Sequence, residues 1–334
     1  MYAILNFGIT EAIGLPTLWA LEPANFSPDN NEEPISIIFT GDVMLARDVE
    51  MRLLSKEKGY SLSSIRDVLV ADAVVMNFEA AVPENHIQTQ HMEMKFSVRP
   101  DLLGELRLQS PIYLSLANNH SLDFGVAGYK NTVKTLEEYG FKVYGHAIAI
   151  STSSLSVIEA KGQKVLVLYL NATYGKPDIS LVKNLVDSVG PVDLVVTYIH
   201  WGTEYEPKND TAQENLAHQL IDAGFDLVAG HHPHVVQNVE KYKDGLIFYS
   251  LGNLIFDQYW TSEVQEGLLI KVVKHSDMWG IELIPVESTT ARVQPHEMMG
   301  GVKHTFLNKL ANRSDPDLAS EISSGFISFQ SVED

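Results

Sequence analysis

The chain has 334 residues, with 24 Lys+Arg against 43 Asp+Glu and a formal charge of −19. Hydrophobic residues make up 45% and charged residues 20%, a globular composition that argues against a disordered or fibrous chain. The acid excess, with no basic stripe, argues against a nucleic-acid partner, and the lack of cysteine excludes disulfides, thiolate metal sites and cysteine nucleophiles together.

Residues 1–34 read as a poorly ordered leader and linker ahead of the folded domain. Met1–Leu21 is mostly apolar, but Glu11 interrupts it, Pro16 breaks it and no Lys or Arg precedes it. A secretory signal wants a basic start and an unbroken apolar middle, and a spanning helix wants about 20 apolar residues; a degenerate export signal or anchor stays open. Glu22–Pro34 is rich in Pro, Asn and acid, as a solvated linker is.

From Ile35 the pattern alternates between short β-branched runs and helical stretches. Ile35–Thr40 is a buried strand running into Gly41-Asp42, and Val49–Lys56 is a helix. Asp72–Met76 is a second strand ending at Asn77-Phe78-Glu79, and Pro111–Leu116 a third ending at Ala117-Asn118-Asn119-His120. Gly125–Tyr139 has helical apolar spacing, with Gly140 as its stop. Val165–Leu170 and Asp193–Ile199 are further strands, the second ending at His200. Thr211–Ala223 is an amphipathic helix terminated by Gly224, followed by strand Phe225–Ala229 and the loop Gly230-His231-His232-Pro233-His234. Leu246–Ser250 leads to Leu251-Gly252-Asn253, and Gly267–Lys274 and Gly280–Pro285 resemble antiparallel finishing strands. Residues 35–300 thus form one domain, and the polar, weakly patterned 301–334 reads as a peripheral tail. Strand–helix alternation with near-continuous apolar strands implies an α/β fold covered on both faces.

The chemistry gathers at strand ends. Asp42, Glu79, Asn119 with His120, His200, and His231, His232 and His234 all follow strands, and open α/β sheets bind ligands outside the carboxyl ends of their strands. Singly, each is an ordinary turn, cap or core residue. Together they supply carboxylate, amide and imidazole donors, a set suited to one or two divalent ions such as Mn, Zn or Fe rather than calcium. Cations would also let an acidic protein accept an anion. Asp123, three residues after His120, either orients that imidazole as a proton donor or caps the helix at Gly125.

Six ordered blocks carry a resemblance. They are Gly41–Arg47, Asn77–Glu79, Ala117–Gly125, His200–Tyr205, Gly230–Gln237 and Ser250–Asp257. They resemble the signature blocks of the CapA/PgsA family of capsule or poly-γ-glutamate synthesis proteins, itself similar to calcineurin-like metallophosphatases. The resemblance implies a four-layer α/β/β/α sandwich around a dinuclear metal site, with Asp42, Glu79, Asn119, His200, His232 and His234 facing the metals and His120 as the acid paired with Asp123. Either His231 or His232 fits the family's Gly-His-x-His ligand. Two departures stand out: Asp42-Val43-Met44 lacks the histidine of Asp-x-His, and Glu79 stands where an Asp would bridge the metals. Arg47 would lie near the vacated position, its fork free for a carboxylate or phosphate. The implied function is a metal-dependent, phosphatase-like hydrolase site acting on a phosphate ester or an anionic polymer of the cell envelope. Two alternatives remain: an accessory or export component working with membrane-bound polymer synthase components, and a soluble phosphodiesterase unrelated to capsule.

Overall fold

The computed structural model describes residues 34–275 and 278–331; the leader reading of residues 1–34 therefore lies outside the described residues except for Pro34. The strand Ser36–Val43 (β1) shows how the sequence builds layers. Its side chains alternate, so Ile37 and Phe39 enter one apolar cluster while Ile38 enters another. Beside it run β2 (Ala73–Phe78), β3 (Ile112–Ser115) and β4 (Lys142–Tyr144), all parallel. Helices α1 (Arg47–Leu53) and α2 (Gly125–Glu138) cover this sheet's outer face, where Val49, Leu53 and Leu136 pack with Val74, Met76 and Leu114.

A second sheet follows the order β5 (Leu155–Ala160), β6 (Gln163–Asn171), β7 (Leu194–His200), β8 (Leu227–His231), β10 (Gly245–Phe248), β9 (Val239–Tyr242). In β6, Val165, Val167 and Tyr169 face the first sheet, whereas Leu168 and Leu170 face outward. Helices α3 (Ile179–Asp187) and α4 (Thr211–Asp222) cover that outer side through Val182, Leu216 and Leu220. Asp210 and Gln213 cap α4 reciprocally, and Gly224, at φ 98°, ends it as expected. The chain then returns to the first sheet with β11 (Asn253–Ile255), β12 (Glu266–His275), β13 (Met278–Glu287) and β14 (His296–Glu297). The β12–β13 hairpin is antiparallel, and β12 pairs antiparallel with β1. The layers are therefore helix, sheet, sheet, helix: the four-layer α/β/β/α sandwich that the resemblance implies.

The segment after residue 300 differs from expectation. Helices α5 (Gly300–Arg313) and α6 (Ala319–Ser324) and strand β15 (Phe326–Phe329) are built into the domain, with β15 pairing antiparallel with β13. Phe306, Leu307, Leu310, Ile322 and Ile327 lie in the cluster between the sheets. The segment is part of the core, not a peripheral tail. Its few apolar residues are spaced for one buried helical stripe, and each buried Leu or Phe contributes about 1.5–3 kcal/mol.

Candidate metal centre

The parallel strands of both sheets end on one rim, so residues remote in sequence meet there. Asp42 of β1 sits opposite Asn77 of β2, and His200 of β7 opposite His231 of β8. Two glycines let neighbouring strand segments approach closely at this rim. A Cβ at Gly41 would stand 1.9 Å from the Gly252 carbonyl oxygen, and one at Gly230 would stand 2.1 Å from that of Tyr249. Neither position has room for a side chain.

Asp42, Glu79, His200 and His231 are almost wholly buried. Donor atoms lie within 4.8 Å of one another in four groups: Asp42/His200/His231, Glu79/His200/His232, Asp42/Glu79/His234 and Glu204/His232/His234. Asp42 and Glu79 each belong to two of them and share one, so both carboxylates lie between neighbouring positions. Asn119 joins the set, its Oδ1 2.8 Å from His200 Nε2. Asp42 Oδ1 is 3.2 Å from His231 Nδ1, and Asp42 Oδ2 is 3.3 Å from His234 Nδ1. His231 and His232 take different places: His231 packs 4.3 Å from the Tyr198 ring, beside Asp42, while His232 groups with Glu79. His232 and His234 have φ of 103° and 59°, left-handed values that non-glycine residues adopt at a cost of about 1–3 kcal/mol. The backbone strain sits on the two histidines flanking Pro233.

Several side chains act through these donors. The Asn77 amide donates to Asp42 Oδ1 at 2.8 Å and lies 3.4 Å from Glu79 Oε2. Asn118 donates to Asn77 Oδ1 and to the Phe78 carbonyl, and accepts from the His120 N–H. Asn253 Oδ1 lies 3.0 Å from His234 Nδ1, leaving Nε2 facing Glu79 Oε1 at 3.8 Å. Asn77, Asn118, Asn253 and Glu204 were missed by sequence reasoning, although each lies inside one of the six blocks. Their signal was adjacency to a selected residue.

The donor set fits divalent cations. Burial, and then the Asp42 charge, holds the Glu79 carboxyl well above the usual range. Burial also disfavours ionised Asp42, but hydrogen bonding to His231 and His234 outweighs it and its pKa falls well below the usual value. Burial pushes His200 and His231 down and His232 to about 3, so these imidazoles are neutral, with lone pairs available. Glu79 Oε1, His231 Nε2 and His232 Nδ1 are buried without hydrogen-bond partners. Orphaned acceptors beside two crowded carboxylates are what a positive ion would satisfy.

His120 stands at the cavity side. Its Nδ1 lies 3.0 Å from Asp123 Oδ2, which also accepts from the Phe96 N–H. Helix α2 has Phe124 at its N-cap and no side-chain cap, so Asp123 serves the imidazole instead. Phe96 stacks on the His120 ring at 4.0 Å. Nε2 is thereby aimed at the site, 3.8 Å from Glu79 Oε1. Arg47 lines the same cavity: its Nη2 is paired with Asp257 and its guanidinium lies over the Phe96 ring at 4.5 Å, while its buried Nε has no hydrogen-bond partner. The cavity has a volume of about 580 Å³.

The class that fold and site define is an α/β/β/α sandwich with an acid and imidazole cluster, able to hold metal, on the common strand-end rim. Within it, the chain belongs to the family described as bacterial capsule synthesis protein PGA_cap, whose model matches residues 36–258. It is 26% identical over 321 residues to the PGA biosynthesis protein CapA of Bacillus subtilis strain 168, covering 90% of this chain and 83% of that one. It is 28% identical to the capsule biosynthesis protein CapA of Bacillus anthracis, covering 88% and 78%. A probable polyglutamine synthesis accessory protein of Mycobacterium tuberculosis is 22% identical, covering 68% and 76%.

Proposed function

We propose that this protein serves synthesis of capsule or poly-γ-glutamate at the cell envelope, and that it does so through a metal-dependent phosphoester hydrolase site. Family membership supports the first part. The observation that carries the second is the pair of buried carboxylates, Asp42 and Glu79, ringed by neutral imidazoles with orphaned acceptor atoms.

Asp42, Glu79 and His234 would hold one cation, and Glu79, Asn119, His200 and His232 a second. Such ions, when bound, supply Lewis acidity and a nucleophile active at neutral pH. The chain's own residues do the rest. Asp123 fixes His120 with Nδ1 engaged, so the protonated imidazole donates from Nε2 to a departing alkoxide. Asn77 and Asn118 keep the two carboxylates apart and oriented. Arg47, its charge met by Asp257 through Nη2, shapes the wall through Phe96. Among the described residues no helix is long and apolar enough to cross a membrane.

Metal analysis of the purified protein, followed by turnover of phosphate esters by wild type and His120→Ala, tests the hydrolase reading. Stoichiometric metal with turnover lost in the variant supports it. Absence of bound metal after reconstitution with Mn, Zn and Fe would refute it. A second reading, an accessory component acting without hydrolysis, is favoured by Met44 standing where the metallophosphatase pattern has histidine. A deletion strain complemented by Asp42→Asn separates the two: restored polymer would favour the accessory role.

A further inference from the structure

The cavity over the metal-ligand cluster has a floor and walls of opposite chemistry. Glu79, His120 and His234 form its inner part, while Met92, Met94, Phe96, Tyr205, Phe256 and Trp260 surround them. Trp260 is 60% exposed and Met92 82%, so among the described residues large apolar side chains stand open at the entrance. Tyr205 and Trp260 meet edge to face at 5.3 Å, forming a corner rather than a scatter of single residues. Among the residues lining the cavity, Arg47 is the single Lys or Arg, and Asp257 neutralises it. Glu204 adds negative charge at the same wall.

A run of carboxylates is poorly served there. Beyond the floor the lining offers only His91, Gln258 and Tyr259 as further polar groups, set beside Glu204, Asp257 and apolar surface in a protein of charge −19. One anionic group can be met by cations on the floor, and the remainder of the ligand meets Met, Phe, Tyr and Trp. We infer that the substrate is a phosphate ester with a single anionic head and an apolar or aromatic alcohol portion, seated against Met94, Phe96, Tyr205 and Trp260, rather than a segment of polyanion. This rests on the phosphoester-site reading above. Hydrolysis of such an ester breaks the P–O bond to the alcohol and forms a P–O bond from water. The departing alkoxide takes its proton from His120 Nε2, and the proton released by water restores the imidazole. The cavity volume of about 580 Å³ suits a head group plus a ring or a short alkyl chain.

The test measures binding separately from turnover. Methyl-, butyl-, hexyl- and phenylphosphonate are titrated into the Mn²⁺-reconstituted full chain, with affinity read by calorimetry and by tryptophan fluorescence. A γ-linked glutamate pentamer serves as competitor. Affinity should rise roughly threefold to fourfold per added methylene while the chain remains within the cavity. Trp260→Ala and Met94→Ala should flatten that rise while methylphosphonate binding stays within about twofold. The pentamer should not displace hexylphosphonate at millimolar concentration. A flat series, absence of phosphonate binding, or displacement by the pentamer at lower concentration than by butylphosphonate overturns the inference. A rising series in a protein that turns over no ester would sink the hydrolase reading and leave the ligand class standing. Turnover with a flat series does the reverse.

Discussion

Replacing Glu79 by Gln perturbs the centre where its charge is most concentrated. In the metal-free protein the change removes a carboxylate that is 1% exposed and whose ionisation burial and Asp42 both oppose. Stability without metal should therefore stay within about 1 kcal/mol of wild type or rise slightly, as when a buried charge gives way to a neutral isostere. With metal the two proteins should diverge. At free Mn²⁺ of about 100 times Kd, binding stabilises the wild type by about 2.7 kcal/mol. Unfolding of a unit spanning Pro34–Asp334 carries roughly 0.6 kcal/mol/K of entropy at the midpoint, which converts that gain to a Tm rise of about 4 °C. Loss of an outer partner of a ligand costs about 10–100-fold in affinity, so if Glu79 is itself a ligand its loss should cost at least about 100-fold. The variant's rise at the same Mn²⁺ then falls below about 1 °C. Differential scanning calorimetry of chelator-treated protein, titrated with Mn²⁺, reads both numbers. An equal rise in wild type and Glu79→Gln would show that Glu79 holds no metal.

The same cluster sets a pH dependence. Unfolded histidines protonate near pH 6.5, whereas burial holds folded His232 neutral down to about 3 and keeps His200 and His231 below their ordinary value. The unfolded chain binds more protons in that window, so the contribution is fully present above pH 6.5 and lost as pH falls through it. The loss is up to about 1.4 kcal/mol per pH unit for each histidine. Glu79, with its raised pKa, works in the opposite sense. Urea melts of metal-free protein should show a shallower acid slope in His232→Asn; an unchanged slope would contradict the burial argument. Asp123→Asn should lower kcat by about 10-fold or more, and His120→Ala by about 10²–10⁴. Both losses should shrink for nitrophenyl esters, whose leaving group needs no proton; equal losses for alkyl and nitrophenyl esters would remove His120 as the acid. Gly230→Ala forces a Cβ against the Tyr249 carbonyl and the Trp201 indole that donates to it, and should destabilise by about 3 kcal/mol or more in denaturant melts. Leu310→Ala should cost about 2–5 kcal/mol in the same assay, since Leu310 is fully buried between the sheets; a cost under 1 would return the C-terminal segment to the periphery.

Strands and their faces were legible in the linear sequence because alternation is a local property. Ile37 and Phe39 against Ile38 announces a strand with two buried sides wherever it ends up. Helix ends at Gly140 and Gly224 were legible for the same reason, since a left-handed residue after an apolar stripe needs no distant partner. The strand-end donors could also be read, because parallel topology sends every carboxyl end to one rim.

What only the folded chain decided was which side chain meets which. The separate places of His231 and His232, the role of Asp123 beside His120, and the capture of Arg47 by Asp257 all depend on contacts between residues 3 to 210 apart. Asn77, Asn118, Asn253 and Glu204 have no local pattern of their own, since an isolated Asn or Glu after a strand reads as a turn residue. The segment after residue 300 carries too weak a stripe to announce burial, and it is buried because β13 offers an open edge and the sheets a gap that α5 fills. Periodicity is set by the backbone of one segment, whereas partners are set by the closing of several, and the chemistry of this rim depends on the partners.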